Sequence, residues 1–139
     1  MRLWHQDLIP LLPRQQLLGQ HRECCALRGK GWGKKHAIVD YVFKYSPSRL
    51  YEYHLLVMKE MVKRGYQPNE IWYNSNYRGQ NLCPYERLEY GANYIEHLGK
   101  PIYPEHNVDY LKECIKNLKS KGIHLDDDYA SYSTNDHSH

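Results

Sequence analysis

A helix signed at both ends constrains this chain more than any other feature. In S-P-S-R-L-Y-E-Y-H-L-L-V-M-K-E-M-V-K-R-G, residues 46–65, Ser46 can accept from the first free amides and Pro47 suits the first helical position. Lys63 and Arg64 occupy the last turn and Gly65 follows it. Leu50, His54, Val57 and Met61 recur three and four residues apart, so this helix lies with one face on a core. On that face His54 reads as a buried, hydrogen-bonded core histidine before it reads as a catalyst.

Three more segments carry the same period. Between Arg14 and Arg28, Pro13 precedes and Gly29 closes a helix of about four turns, with Gly29 expected as a left-handed C-cap. Leu17, Leu18, His21, Cys24, Cys25 and Arg28 form its core stripe; Gln16, Gln20 and Glu23 form the other side. Gly19 and Ala26 flank Glu23 at i−4 and i+3, so the carboxylate stands on a cleared floor that a ligand can approach. Residues 85–98 predict a third helix. After an extended connector at 100–105, His106 or Asn107 opens a fourth, with Val108, Leu111, Ile115 and Leu118 inward and Lys112, Lys116 and Lys119 outward, stopping at Gly122. Residues 37–45 are a short apolar run of helix or strand, and 66–84 are loop-rich. Ahead of all of these, Leu3, Trp4, Leu8, Ile9, Leu11 and Leu12 are too apolar for a loose tail. The expected fold is mainly α: a compact single-domain bundle of three to four helices with an N-terminal segment packed against them. It spans residues 1–125 and is followed by an acidic, disordered tail at 126–139. A chain of 139 residues buries such a core without disulfides or metal staples.

Net charge is only +3, but four of the sixteen acidic residues lie in the tail, which has no Lys or Arg. Residues 1–50 hold nine basic and three acidic groups. A basic N-terminal third favours a polyanionic partner, with a basic surface lacking such a partner as the alternative. Adjacent Cys24 and Cys25 cannot sensibly bridge each other, and four cysteines do not make a disulfide framework here. A reducing, cytoplasmic setting is expected, since the first twelve residues are broken by His, Gln, Asp and Pro before any signal peptide or span can form.

If the first twelve residues pack, the terminal amine is held in place. Its ordinary pKa of about 7.7 to 8.0, against about 10.4 for lysine, leaves a usable fraction as free base near neutrality, so a pinned terminus is a ready nucleophile. A merely tucked start is the plainer alternative. In R-G-K-G-W-G-K-K-H, residues 28–36, three glycines open the backbone, Arg28, Lys30, Lys34 and Lys35 supply charge, and Trp32 offers a flat face. This can be a phosphate contact or a solvated turn, and its spacing is not that of a P-loop. His21, Cys24 and Cys25 could place two ligands on one ion, but no second pair completes a closed zinc site, and the thiols read more simply as small core residues.

Taken together, Q-Q-L-L-G-Q-H-R-E at residues 15–23, F-K-Y-S-P-S-R-L at 43–50, His54, K-R-G-Y at 63–66, Y-R-G at 77–79 and Y-P-E-H at 103–106 stand in an order that resembles the phage-type pyrimidine-dimer DNA glycosylases with apurinic/apyrimidinic (AP) lyase activity, the endonuclease V type. The resemblance implies that the terminal amine attacks C1′ of a damaged deoxynucleotide to give an imine, that a glutamate assists, and that β-elimination cuts the strand. Here those roles fall to Met1, which bulky Arg2 should protect from removal, and to Glu23. Arg2, Gln15, His21 and Arg22 would contact DNA, with Arg28, Lys30, Trp32, Lys34, Lys35, Lys112, Lys116 and Lys119 around them. Arg28 or Lys30 would replace a basic position occupied here by Ala26, and Trp32 or the aromatic residues at 72–77 would replace an absent aromatic C-terminal segment. The implied partner is double-stranded DNA with damaged or abasic sites, engaged by a monomer without membrane, metal or cofactor. A non-catalytic nucleic-acid-binding module and a small zinc-dependent protein are the competing readings.

Overall fold

A computed structural model describes residues 2–29, 39–85 and 101–125. Among the described residues three α-helices carry the architecture: α1, Arg14–Arg28; α2, Pro47–Lys63; and α3, Val108–Ser120. Short 3-10 turns stand at Gln6–Leu11, Asp40–Lys44 and Glu70–Tyr73, and no strand occurs among the described residues. The mainly helical class follows. The helix expected at 85–98, apart from Tyr85, and the tail at 126–139 lie outside the described residues, as do Met1, Lys30, Trp32, Lys34 and Lys35. No described helix is long and apolar enough to cross a membrane.

The ends of α2 are those its sequence signs. Ser46 accepts from the amide of Ser48, Pro47 begins the helix, and Gly65 follows with φ of 91°. Leu50, His54, Val57 and Met61 are all buried. Asn107 caps α3 by accepting from Tyr110 N at 2.9 Å, and Gly122 closes it with φ of 82°.

Four local expectations are corrected. Gly29 is not left-handed: its φ is −98° and its ψ −126°. Glycine is needed for space, because a Cβ there would lie 2.8 Å from the carbonyl oxygen of Arg78. Val108 is 62% exposed, since the first turn of α3 runs past the core, and Cys114 takes an inward place with Leu111 and Leu118. Gln20, expected on the outer side of α1, is buried. Residues 101–106 close in a tight turn, with His106 N donating to Tyr103 O, so Ile102 and Tyr103 enter the core.

The N-terminal segment is part of that core. Leu3, Trp4, Leu8, Ile9 and Leu12 are buried, and the backbone around them is held by side chains from every helix. Tyr53 Oη of α2 donates to Trp4 O at 2.6 Å, and Tyr110 Oη of α3 donates to Leu3 O. Arg64 closes the first 3-10 turn, donating to Leu12 O at 2.6 Å and Pro10 O at 3.0 Å. Buried backbone carbonyls that no sheet satisfies are thus paired one by one, largely by hydroxyls and guanidinium groups. In a chain with 14 Tyr and one Phe, tyrosine rings fill much of the interior, and the hydroxyls of Tyr51, Tyr53 and Tyr110 reach the main chain.

Candidate active site

Gln20 ties the first residues to α1. Its Oε1 accepts from Trp4 N at 2.7 Å and lies 3.0 Å from Tyr53 Oη, whose one proton goes to the nearer Trp4 O, and its Nε2 donates to Arg2 O at 3.0 Å. One turn further along α1 stands Glu23. Arg2, Trp4, Gln16, Gly19, Gln20, Glu23 and Lys121 line one concavity of about 230 Å³. Glu23 Oε2 is buried there without a hydrogen-bond partner among the described residues. A carboxylate oxygen desolvated and unpaired in an otherwise polar recess is costly to keep, which marks it as an acceptor or proton carrier for something that enters. The floor is open as its composition implies: the nearest atom to a Cβ built on Gly19 is Nη2 of Arg22, at 3.7 Å.

Around this recess the basic groups divide. Gln15 and Arg22, seven residues apart on one stripe of α1, are exposed beside it. Arg2 folds back, its guanidinium 5.7 Å from the centroid of Trp4, 5.9 Å from that of Tyr110 and 3.6 Å from Glu113 Oε1. Lys121 lies 5.4 Å from the centroid of Trp4 and lines the recess; sequence reasoning missed it, although its place beside Gly122 at the end of a lysine-rich helix was a usable signal. Lys112, Lys116 and Lys119 are exposed along α3.

His21 and Arg28 point elsewhere, toward α2 and the loop that follows it. Arg28 is 4% exposed, between the rings of Tyr51 and Trp72 with centroids at 5.2 and 5.0 Å. Its Nη1 donates to Trp72 O at 2.8 Å and its Nη2 to Asn74 O at 2.8 Å and Tyr77 O at 3.1 Å. The remaining Nη1 contact is His54 Nδ1, at 3.0 Å. A guanidinium can only donate, so Nδ1 of His54 accepts and its Nε2 carries the proton toward His21 Nδ1, 2.8 Å away. Burial first, then the charge of Arg28 and the neighbouring His21, drives the His54 pKa well below its ordinary value. Burial, then Arg22 and Arg28, lowers that of His21. Both rings are therefore neutral members of a directed hydrogen-bond chain.

Cys25 completes a group with these two histidines whose ligand atoms all lie within 4.8 Å. The sequence pattern found His21 and Cys25 but could not see that α2 brings His54 to them. Against a metal there, the second nitrogen of His54 faces a cationic donor, whereas a ligating histidine ordinarily donates from that nitrogen to an acceptor. Burial also pushes the Cys25 thiol up to about 11, Arg28 opposing. The group is read here as structural.

Arg28 also takes part in a second tie, since Arg78 Nε donates to Arg28 O at 3.2 Å. The end of α1 and the loop after α2 are thereby joined across Gly29. Two helices locked in this way, with an acid in a recess beside the packed N-terminal segment, account for the first half of the chain. No curated protein and no solved structure matches the chain. The profile of one family, pyrimidine dimer DNA glycosylase, matches residues 1–74, which cover the N-terminal segment, α1 and α2. On that match over half its length, the chain belongs to the pyrimidine dimer DNA glycosylase family.

Proposed function

We propose that this glycosylase is also an AP lyase, acting as a monomer on double-stranded DNA at pyrimidine dimers and abasic sites through the terminal amine of Met1. The carrying observation is the pairing of Gln20 with the backbone of residues 2 and 4 on the same face of α1 that holds Glu23 in the recess lined by Arg2.

In this reading the free amine attacks C1′ of the damaged nucleotide, the C1′–N bond breaks, and the base leaves with one of the two amine protons. Glu23 takes the other and passes it to the ring oxygen as the bond from C1′ to that oxygen breaks and the sugar opens to the imine. It then takes a proton from C2′, the C3′–O bond breaks, and the strand is cut on the 3′ side. Water hydrolyses the imine and returns the amine. Arg22 and Gln15, exposed beside the recess, contact phosphates, with Lys112, Lys116 and Lys119 on α3 and the basic residues after α1 extending the surface. Arg28 is left out of this set because the terminal nitrogens of its guanidinium are already bonded to the protein.

Borohydride reduction on abasic-site duplex tests the proposal. The expected result is a covalent protein–DNA adduct that disappears when residues are added before Met1, together with strand cleavage that Glu23→Gln abolishes. Unchanged cleavage by Glu23→Gln would overturn the role of the acid. An adduct that survives the extension would move the nucleophile to a lysine, and salt-sensitive binding without any adduct would leave a binding module.

A further inference from the structure

We propose that Gln20 is a positioning residue for the terminal nucleophile, an inference that rests on the reading of Met1 as the attacking amine. Four main-chain groups of residues 2–4 are held by side chains. Tyr110 takes the Leu3 carbonyl and Tyr53 the Trp4 carbonyl, while Gln20 takes both the Trp4 N–H and the Arg2 carbonyl. Of these three side chains only Gln20 reaches residue 2, so it holds the described backbone group nearest in sequence to the amine. The carboxamide presents an acceptor and a donor side by side, as a neighbouring strand would, and Tyr53 Oη lies 3.0 Å from the acceptor.

The amide sits one helical turn before Glu23, so a single rigid element carries both the grip on the chain start and the acid. Holding the Arg2 carbonyl fixes the peptide plane that carries the Arg2 Cα, and so the point from which the first residue extends. Neither neighbouring chemistry substitutes. A glutamate at position 20 keeps the acceptor for Trp4 but loses the donor to Arg2, and a methionine keeps the volume and loses both bonds. The geometry therefore separates two functions of one side chain: its oxygen stabilises the fold, and its nitrogen orients the reactive end.

The test is single-turnover formation of the borohydride-trapped adduct on abasic-site duplex, with Gln20→Glu, Gln20→Met and the core variant Val57→Ala as a destabilised control. At saturating DNA, Gln20→Met and Gln20→Glu should form adduct at least about tenfold more slowly, since small misplacements of a reacting group cost that much. The DNA dissociation constant of Gln20→Met should stay within about twofold, and the pH midpoint of adduct formation should move toward that of an unconstrained amine. Val57→Ala, assayed where it is folded, should keep the wild-type rate and pH midpoint. A folded Gln20→Met that traps at the wild-type rate with an unmoved pH midpoint overturns the role of Gln20 and leaves the lyase reading intact. Absence of adduct from the wild-type protein overturns the lyase reading itself. Amide exchange in the wild-type protein decides the matter if the variants do not fold: Trp4 N–H should be protected, and exchange at the rate of an unstructured peptide overturns the clamp.

Discussion

Two residues of α1 that look alike in sequence, both polar and both set among charged neighbours, do different work because of partners far away along the chain. Gln20 meets Trp4 and Tyr53; Arg28 meets His54, Trp72, Asn74 and Tyr77. Removing a buried guanidinium whose two terminal nitrogens are both bonded should be severe: Arg28→Met should cost on the order of 3 kcal/mol in urea unfolding and loosen the loop around Trp72, seen as a change in native tryptophan fluorescence. The two glycines of this region make a paired prediction. Gly19→Ala meets only Arg22 Nη2 at ordinary contact distance, so by helix propensity it should gain up to about 1 kcal/mol while crowding the floor of the recess and slowing strand cleavage. Gly29→Ala drives a Cβ against the Arg78 carbonyl and should lose about 1 to 3 kcal/mol, read as a lower melting temperature with the recess chemistry intact. Periodicity could place Glu23 beside Gly19 because both lie within two turns. It could not place Gln20, because polarity alone sorts a glutamine to solvent and its partners lie 16 and 33 residues away.

At the scale of elements, what was legible was what is encoded within a turn. The start of α2 follows from Ser46 and Pro47, and that of α3 from Asn107, since each cap bonds an amide two or three residues on. Where tertiary contact decides, the reading was incomplete: Gly29 caps α1 as expected, but without the left-handed conformation and with its missing Cβ making room for the Arg78 carbonyl, and Val108 fits the inward period but lies beyond the edge of the core. The outward stripe of α3 fared better, because Lys112, Lys116 and Lys119 are exposed as their spacing requires. If this stripe faces the DNA backbone, each Lys→Gln change should lower the slope of log binding constant against log salt by about 0.9, measured by titration across salt concentrations. A change that leaves the slope untouched assigns that lysine to solvent.

Across the whole molecule, the titrating groups buried in the fold make its stability depend on pH. Burial holds His54 and His106 below the usual histidine value, His106 at about 3, so below about pH 6.5 the unfolded chain binds protons that the folded one refuses. Stability should fall with acid through that range by about 1.4 kcal/mol per pH unit for each such histidine. Glu52 acts in the opposite sense: burial, opposed by Arg49, raises it to about 7, so the folded state holds a proton from about pH 4.5 to 7 that the unfolded state has released. Melting temperatures should therefore fall with acid below about pH 6.5, with Glu52→Gln steepening that fall between about pH 4.5 and 7 and His106→Gln flattening it. The bundle itself was readable from apolar period and punctuation; the recess was not, because its walls come from opposite ends of the chain. Arg2 and Glu23 lie near the start, whereas Lys121, and the Tyr110 hydroxyl that anchors Leu3, come from the last helix and its end. During synthesis the first 74 residues, which carry the family signature, leave the ribosome while that far wall is still being translated. A nascent chain thus has its acid and its starting segment before it has the far wall of the recess, and under the proposed lyase reading strand cutting would wait for α3.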